Sequence, residues 1–488
     1  MKILVLGLDS AEPEILFGDE RLTNIRNLME LGCFGKLKSV VPPEAVPAWM
    51  SMATSKDPGS LGIYGSYNRV DHTYNKLLSV NSKSVHEPTI WEHIAKEEKR
   101  SILIGVPPSY PPHQLNGICV GCYMTPDLSD VEYTFPKNIK DEIANAVGDY
   151  RVDVPDPFSH DKDTLKDQIF DMSRTQFDLV RYFLQHEQWD YFQFVDIGLE
   201  RIQRGFWRYY DPQHQGYEPD NPYQSVILDY YLHLDQQLGT LFEYLDDETI
   251  VLVVSDHGAQ HLEGGICVNE WLVGEGLLSL YKYPDKVTPF EELDVNWDKT
   301  FAWVQEGVYG RINLNVRGRE LNGVIDLADY EEVREGIKSR LEAIPDDKGN
   351  PLGMLVFKPE EIYTQVRDVA PDLILHCGAL PYRSIGSVGH KTIYAHGEES
   401  GVNGFSHSQY GIFILASANN PLSGEINGAH ILDIAPTLLE LAGYDIPASM
   451  QGKSLVSDRS LDEPPSSDLT AEEEAILRER LSGLGYIS

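Results

Sequence analysis

The feature that most constrains this chain is an alternation of short, almost wholly apolar runs with stretches of helical periodicity. Apolar runs occupy residues 2–8, 101–105, 191–195, 249–254, 372–375 and 411–415. Helical spacing marks 21–31, 89–98, 163–187, 224–245, 328–343 and 431–442. A strand covered on both faces has no polar side to expose, so it reads as a continuous apolar run. Strand and helix in alternation predict an α/β fold, a wide and mostly parallel sheet layered by helices. Ligands of such sheets bind beyond the carboxyl ends of the strands.

With 488 residues the chain is long for one domain, but large α/β sheets accept insertions. The expected organisation is one main domain over 1–456. Two segments break its rhythm, a Pro- and Asp-rich stretch at about 111–162 and another at 283–330, and both read as inserted cap or lid segments. Residues 457–488 read as a polar linker and a short C-terminal helix at 471–481 with acidic residues at its start.

Charge narrows the partners. The formal net charge is −36, from 76 acidic and 40 basic residues, and such a surface repels nucleic acid and anionic membranes. A small anionic substrate held by a few clustered cations stays compatible with it. The opening MKILVLGLDS reads as a buried strand meeting Asp9, without the cleavage pattern of an export signal. No run approaches the ~20 apolar residues of a membrane span, so the expected location is the cytoplasm. Cysteines 33, 119, 122, 267 and 377 are odd in number and scattered, which argues against a disulfide framework. Cys119 and Cys122 have knuckle spacing but lack the second ligand pair that a structural zinc needs.

Residues with chemistry gather at the strand ends. Asp9 follows the first apolar run, Asp256 and His257 close the run at 249–254, Glu200 and Arg204 follow the run at 191–195, and His407 precedes the run at 411–415. Carboxylates and imidazoles of this kind are ordinary ligands of zinc, manganese or iron. Asp-His-Gly at 256–258 is also a reasonable turn, and the pairing with Asp9 at another strand end is what favours metal binding.

Several segments together resemble the type I phosphodiesterase/nucleotide pyrophosphatase family of the alkaline-phosphatase superfamily. They are MKILVLGLDS, Val46–Trp49 with Gly62–Gly65, Arg201–Trp207, Ser255–Gly258, His407 with Gly411, and Asp433–Thr437. The resemblance runs nearly end to end and implies an alkaline-phosphatase-like fold with a two-metal phosphoryl-transfer site. It implies that Asp9, Asp256 and His257 hold one ion together with a Thr or Ser nucleophile. A second ion would be held by an Asp, a His four residues later and a distant His matching His407.

Three positions depart from that pattern. Ala45 occupies the nucleophile position, and alanine has no atom that can form a covalent phosphoryl-enzyme. Glu200 and Arg204 stand where the Asp and His of the second ion are expected. Glutamate can still ligate, whereas a permanently charged arginine cannot. At i, i+4 spacing the two also form an ordinary helical salt bridge, and Asp196 is an alternative carboxylate at the same strand end. Two arrangements stay open: Arg204 replaces the lost cation and grips an anion, or His257, His407 and the carboxylates gather around a single ion.

The expected function is therefore that of a metal-dependent enzyme acting on a phosphate or related anionic ester, with one or two divalent ions (zinc, manganese or iron) and no side-chain nucleophile. Arg204 and Glu200 are the candidate catalytic residues. Asp9, Asp256, His257, His407 and Glu200 are the candidate ligands, and Arg204 and His261 the candidate substrate contacts. The alternatives are a repurposed single-metal enzyme with non-hydrolytic or oxidative chemistry, and an inactive ligand-binding relative. Glu263, His390, Lys391 and His396 are weaker candidates. Oligomeric state is not legible.

Overall fold

The computed structural model describes residues 1–457, apart from 75, 306, 308, 347, 379–380, 398–403 and 418–420. The helix read at 471–481, and the linker before it from residue 458 on, lie outside the described residues.

A nine-stranded sheet forms the centre. In spatial order its strands are Gly424–Glu425, Cys33–Lys38, Tyr410–Ala416, Ile250–Val254, Ile3–Leu8, Tyr191–Asp196, Ser101–Ile104, Gly117–Val120 and Thr134–Phe135. The five strands from Ile250–Val254 to Gly117–Val120 are parallel, while Tyr410–Ala416 runs against both of its neighbours. Apolar cores cover both faces: Leu4, Leu6 and Leu8 join one, Ile3 and Val5 the other. Alternate residues of a strand point to opposite faces, so a two-faced core demands the unbroken apolar runs seen in the sequence.

Register decides what meets at the sheet's edge. Ile3–Leu8 pairs residue by residue with Tyr191–Asp196 on one side and Ile250–Val254 on the other, so Asp9, Asp196 and Asp256 leave the sheet together. The antiparallel Tyr410–Ala416 begins where these strands end, which brings the preceding Phe405–Ser408 to the same edge, paired with Gly258–His261. Gly7 is required there: a Cβ on it would lie 2.5 Å from the Trp49 ring.

A second unit has its own core, from Ile266 to Cys377, around a four-stranded antiparallel sheet of Ala302–Gln305, Gly310–Leu314, Leu373–His376 and Leu355–Phe357. The apolar run at 372–375, which reads like the strands of the main sheet, belongs here instead. Its buried neighbours are apolar in both settings, so local composition does not reveal which sheet it joins. Asp372 at its start accepts from the Leu314 amide, Arg319 and the Tyr330 hydroxyl, a structural role. Among the described residues, no helix is long and apolar enough to cross a membrane.

Candidate functional site

Asp9 leaves the central strand and turns at once. Ser10 adopts a left-handed backbone (φ 69°), uncommon for a residue with a side chain, and its amide donates to Asp256 Oδ1 at 3.3 Å. Trp49 Nε1 donates to Asp9 Oδ2 at 3.1 Å. Asp9, Asp256 and His257 each offer a ligand atom, and these atoms lie within 4.8 Å of one another. All three residues are buried.

The two histidines present matched donors. His257 Nδ1 faces the Gly258 carbonyl at 3.0 Å and His407 Nδ1 the Pro43 carbonyl at 2.9 Å. An Nδ1–H donated to a carbonyl leaves Nε2 as a lone-pair donor, the tautomer that a metal ligand needs. Asp9 Oδ1, Asp256 Oδ2, His257 Nε2 and His407 Nε2 are buried and have no hydrogen-bond partner among the described residues, and His257 Nε2 and Asp256 Oδ2 face each other at 3.4 Å. Buried polar atoms of native proteins are normally satisfied, and the exceptions on Asp9, Asp256 and His257, grouped at one place, suit the donor set of a divalent cation.

Electrostatics agree. Burial, reinforced by the Asp256 charge, raises the Asp9 pKa well above the carboxylate range, and burial pushes Asp256 up to about 7. A bound cation would hold both ionised. Burial lowers His257, and burial with the charges of His257 and Arg204 lowers His407, so both rings favour the neutral form that ligates.

Glu200 lies on the helix Gly198–Tyr210. Burial pushes its pKa up, but Arg204 and Arg201 outweigh that and hold it down to about 2. Arg204 Nε donates to Glu200 Oε1 at 2.5 Å, while Arg201 also binds Glu200 and grips Asp153 through both oxygens at 2.8 and 2.7 Å. Asp153 belongs to the Pro- and Asp-rich stretch, which is thus tied to the site. Asp196 is engaged elsewhere, by the Leu199 amide and the Tyr230 and Ser173 hydroxyls.

Beside the cluster opens a cavity of about 330 Å³ lined by Glu44, Arg204, Tyr309, Arg311, Arg383 and His407, among others. Ala45 begins the helix Ala45–Thr54 and is buried. Glu44, just before it, accepts from the Ser66 amide at 3.0 Å, from Ser66 Oγ at 2.5 Å and from the Tyr309 hydroxyl.

The type I phosphodiesterase/nucleotide pyrophosphatase family matches residues 3–403. The chain belongs to that family. Among solved structures, murine ectonucleotide pyrophosphatase/phosphodiesterase 5 superposes with a TM-score of 0.54 at 15% identity, over 94% of this chain and 100% of that one. An inactive threonine-to-alanine form of the murine protein in complex with AMP gives 0.52 at 15% identity, over 92% and 96%. Phosphonoacetate hydrolase from Sinorhizobium meliloti in complex with phosphonoacetate gives 0.59 at 17%, over 91% and 96%. At these identities the likeness is one of fold, the alkaline-phosphatase-like fold that the family resemblance implied. Compared by sequence with curated proteins, the chain matches none.

Within this family member, Asp9, Asp256 and His257 come together, His407 stacks on His257, and Glu200 with Arg204 lies alongside. His261, read as a substrate contact, does not line this cavity. Its Nδ1 pairs with Asp211 at 2.5 Å in a separate open cleft of about 580 Å³ with Trp207 and Tyr210. Leu262 lines the cavity instead, as expected when successive residues of an extended chain face opposite ways. Glu44, Tyr309, Arg311 and Arg383 were not singled out from sequence. Only Glu44 had a signal, its place one residue before Ala45.

Proposed function

We propose that this chain is a metal-dependent phosphoesterase for small anionic substrates, in which one divalent cation on Asp9, Asp256 and His257 works beside the Arg204 guanidinium. The observation that carries this reading is that Asp9, Asp256 and His257 bring buried ligand atoms within 4.8 Å of one another next to a cavity lined by Arg204 and His407. Two carboxylates and imidazole nitrogen suit zinc, manganese or iron. When bound, such an ion supplies Lewis acidity and neutralises phosphoryl charge.

The rest falls to the chain's own groups. The Nδ1 hydrogen bonds of His257 and His407 orient their Nε2 lone pairs before any ligand arrives. Arg204, anchored on Glu200, offers a planar charge that matches two phosphoryl oxygens and takes the electrostatic part of a second ion. Glu44, fixed by Ser66 and Tyr309, forms an acceptor on the cavity wall. With alanine at position 45, water is the nucleophile and displacement is direct.

The test is turnover of bis-p-nitrophenyl phosphate and p-nitrophenyl phosphate after reconstitution with zinc, manganese or iron. Activity that does not exceed an Asp256→Ala control would falsify the proposal. A second reading, ligand binding without turnover, is favoured by Ala45 and by the fold neighbour whose inactive alanine form carries AMP. Calorimetric binding of phosphate compounds with no product formed would select it.

A further inference from the structure

The three candidate ligands of the cation cluster leave the sheet on two separate turns, Asp9 on the turn after Ile3–Leu8, Asp256 and His257 on the turn after Ile250–Val254. Pairing between these strands ends at Gly7 and Val254, before either turn begins, so sheet register alone does not fix how the ligands sit relative to one another. Ionised carboxylates brought this close repel, and burial strengthens the repulsion. Side chains make the connection that the backbone ladder does not.

Ser255, fully buried, serves both turns with one hydroxyl. Its Oγ accepts from the Ala11 amide at 2.9 Å and donates to the His257 carbonyl. A serine hydroxyl has one proton and free lone pairs, so both roles are filled at once. Ser10 answers from the opposite turn. Its amide donates to Asp256 Oδ1 and its Oγ to the Gly258 carbonyl, each at 3.3 Å, and the same carbonyl faces His257 Nδ1 at 3.0 Å. The acceptor that orients the imidazole is thereby tied to the turn that carries Asp9.

Gln203 completes the set. Fully buried between Glu200 and Arg204 on the helix Gly198–Tyr210, it donates from Nε2 to the Ser10 carbonyl at 2.8 Å. The amide, hydroxyl and carbonyl of Ser10 are all engaged, and a left-handed residue with a side chain persists where its surroundings over-determine it in this way. The strand behind approaches closely: a Cβ on Gly411 would lie 2.6 Å from the Ser255 carbonyl oxygen and 3.1 Å from that of His257.

We infer that Ser255 and Gln203 are positioning residues of the cation site, holding the two ligand-bearing turns together in the arrangement that a divalent ion needs and tying it to the helix of Glu200 and Arg204. This rests on the proposed cation site and names the groups that preorganise it. Both residues act through Asp9, Asp256 and His257. Without the Ser255 hydroxyl the two turns relax apart, and ion binding then includes the cost of drawing the ligands together.

The test measures the zinc affinity of the full chain by competition with a fluorescent chelator, alongside the urea midpoint of the metal-free protein. Ser255→Ala should weaken zinc binding about 10–100-fold and Gln203→Leu about tenfold, the range typical of groups that orient metal ligands. Ser255→Thr, which keeps the hydroxyl, should restore most of that affinity. Thr437→Val is the comparison. Thr437 Oγ1, also buried, accepts from the Leu455 amide at 2.9 Å and donates to the Asp433 carbonyl at 2.6 Å, the same bridging by one hydroxyl on a helix, Ile434–Leu441, that carries none of the candidate ligands. It should lower the urea midpoint and leave zinc affinity within about twofold of the wild type. Unchanged zinc affinity in Ser255→Ala or in Gln203→Leu would overturn the role of the residue concerned, and a loss in Thr437→Val as large as that in Ser255→Ala would overturn both while leaving the cation site standing. If Ser255→Ala does not fold, Gln203→Leu decides. Failure of the wild-type chain to bind zinc would overturn the cation site itself.

Discussion

The imidazoles of His257 and His407 lie face to face, with centroids 3.9 Å apart and planes 18° from parallel. Two imidazolium ions at that separation would repel, and burial already disfavours charge on either ring. The stack is therefore a neutral pair with both Nε2 atoms available. It also joins two parts of the site, since His257 belongs to the cation cluster and His407 lines the cavity.

Metal content should follow from this geometry. The wild-type protein is expected to retain about one equivalent of zinc, manganese or iron per chain after gel filtration, and Asp256→Ala to lose it. Plasma emission spectrometry reads both. Glu200→Asp with Arg204→His, which restores a carboxylate and an imidazole at i, i+4 spacing, should raise the content to about two.

Glu200 is held by two arginines in a buried setting. Glu200→Gln removes the shared partner and should cost about 3–5 kcal/mol in urea denaturation. Arg204→Met should cost less, because Arg201 still pairs with Glu200 and Asp153. Equal losses would show that Arg204 is the main anchor.

Direct displacement has a stereochemical signature. Hydrolysis of a chiral, isotopically labelled phosphate ester in labelled water should invert configuration at phosphorus. Retention would mean that another side chain, such as buried Ser10, Ser51 or the cavity residue Ser66, forms a covalent intermediate.

His233 supplies a pH test remote from the cation cluster. Burial, with the charges of Arg174 and Arg181, lowers its pKa from 6.5 to about 4, and it packs against Phe170 and Tyr230. The unfolded chain binds the proton more readily, so stability is full above pH 6.5 and falls as pH drops toward 4. The contribution reaches about 3 kcal/mol. Urea midpoints at pH 7.5 and 4.5 should differ less in His233→Leu than in the wild type; identical pH slopes would count against this assignment.

Strand ends were the most legible part of this protein. The runs at 191–195, 249–254 and 411–415 appear as main-sheet strands Tyr191–Asp196, Ile250–Val254 and Tyr410–Ala416. Total burial on both faces leaves a local mark, an unbroken apolar run, and the residues that follow it are exposed to view. The strand Cys33–Lys38, next to the edge of the sheet and alternating in burial, left a much weaker mark. The strand Leu373–His376 left the same mark as the others but pairs in a different sheet.

The amino-acid order by itself determined the α/β class, the placement of Asp9, Asp256 and His257 at strand ends, and the lack of a side-chain hydroxyl at Ala45, the position that the family resemblance assigns to a nucleophile. Each follows from local patterning or from the identity of a single side chain. Tertiary structure alone decided that His407 stacks on His257, that His261 faces another cleft, and that Glu44, Tyr309, Arg311 and Arg383 share one cavity with Arg204. Periodicity records how deeply a residue is buried. Which distant segment it meets is set by strand order and register, and Arg311 of the second sheet lines the same cavity as Arg204 and His407 without any local pattern that foretells it.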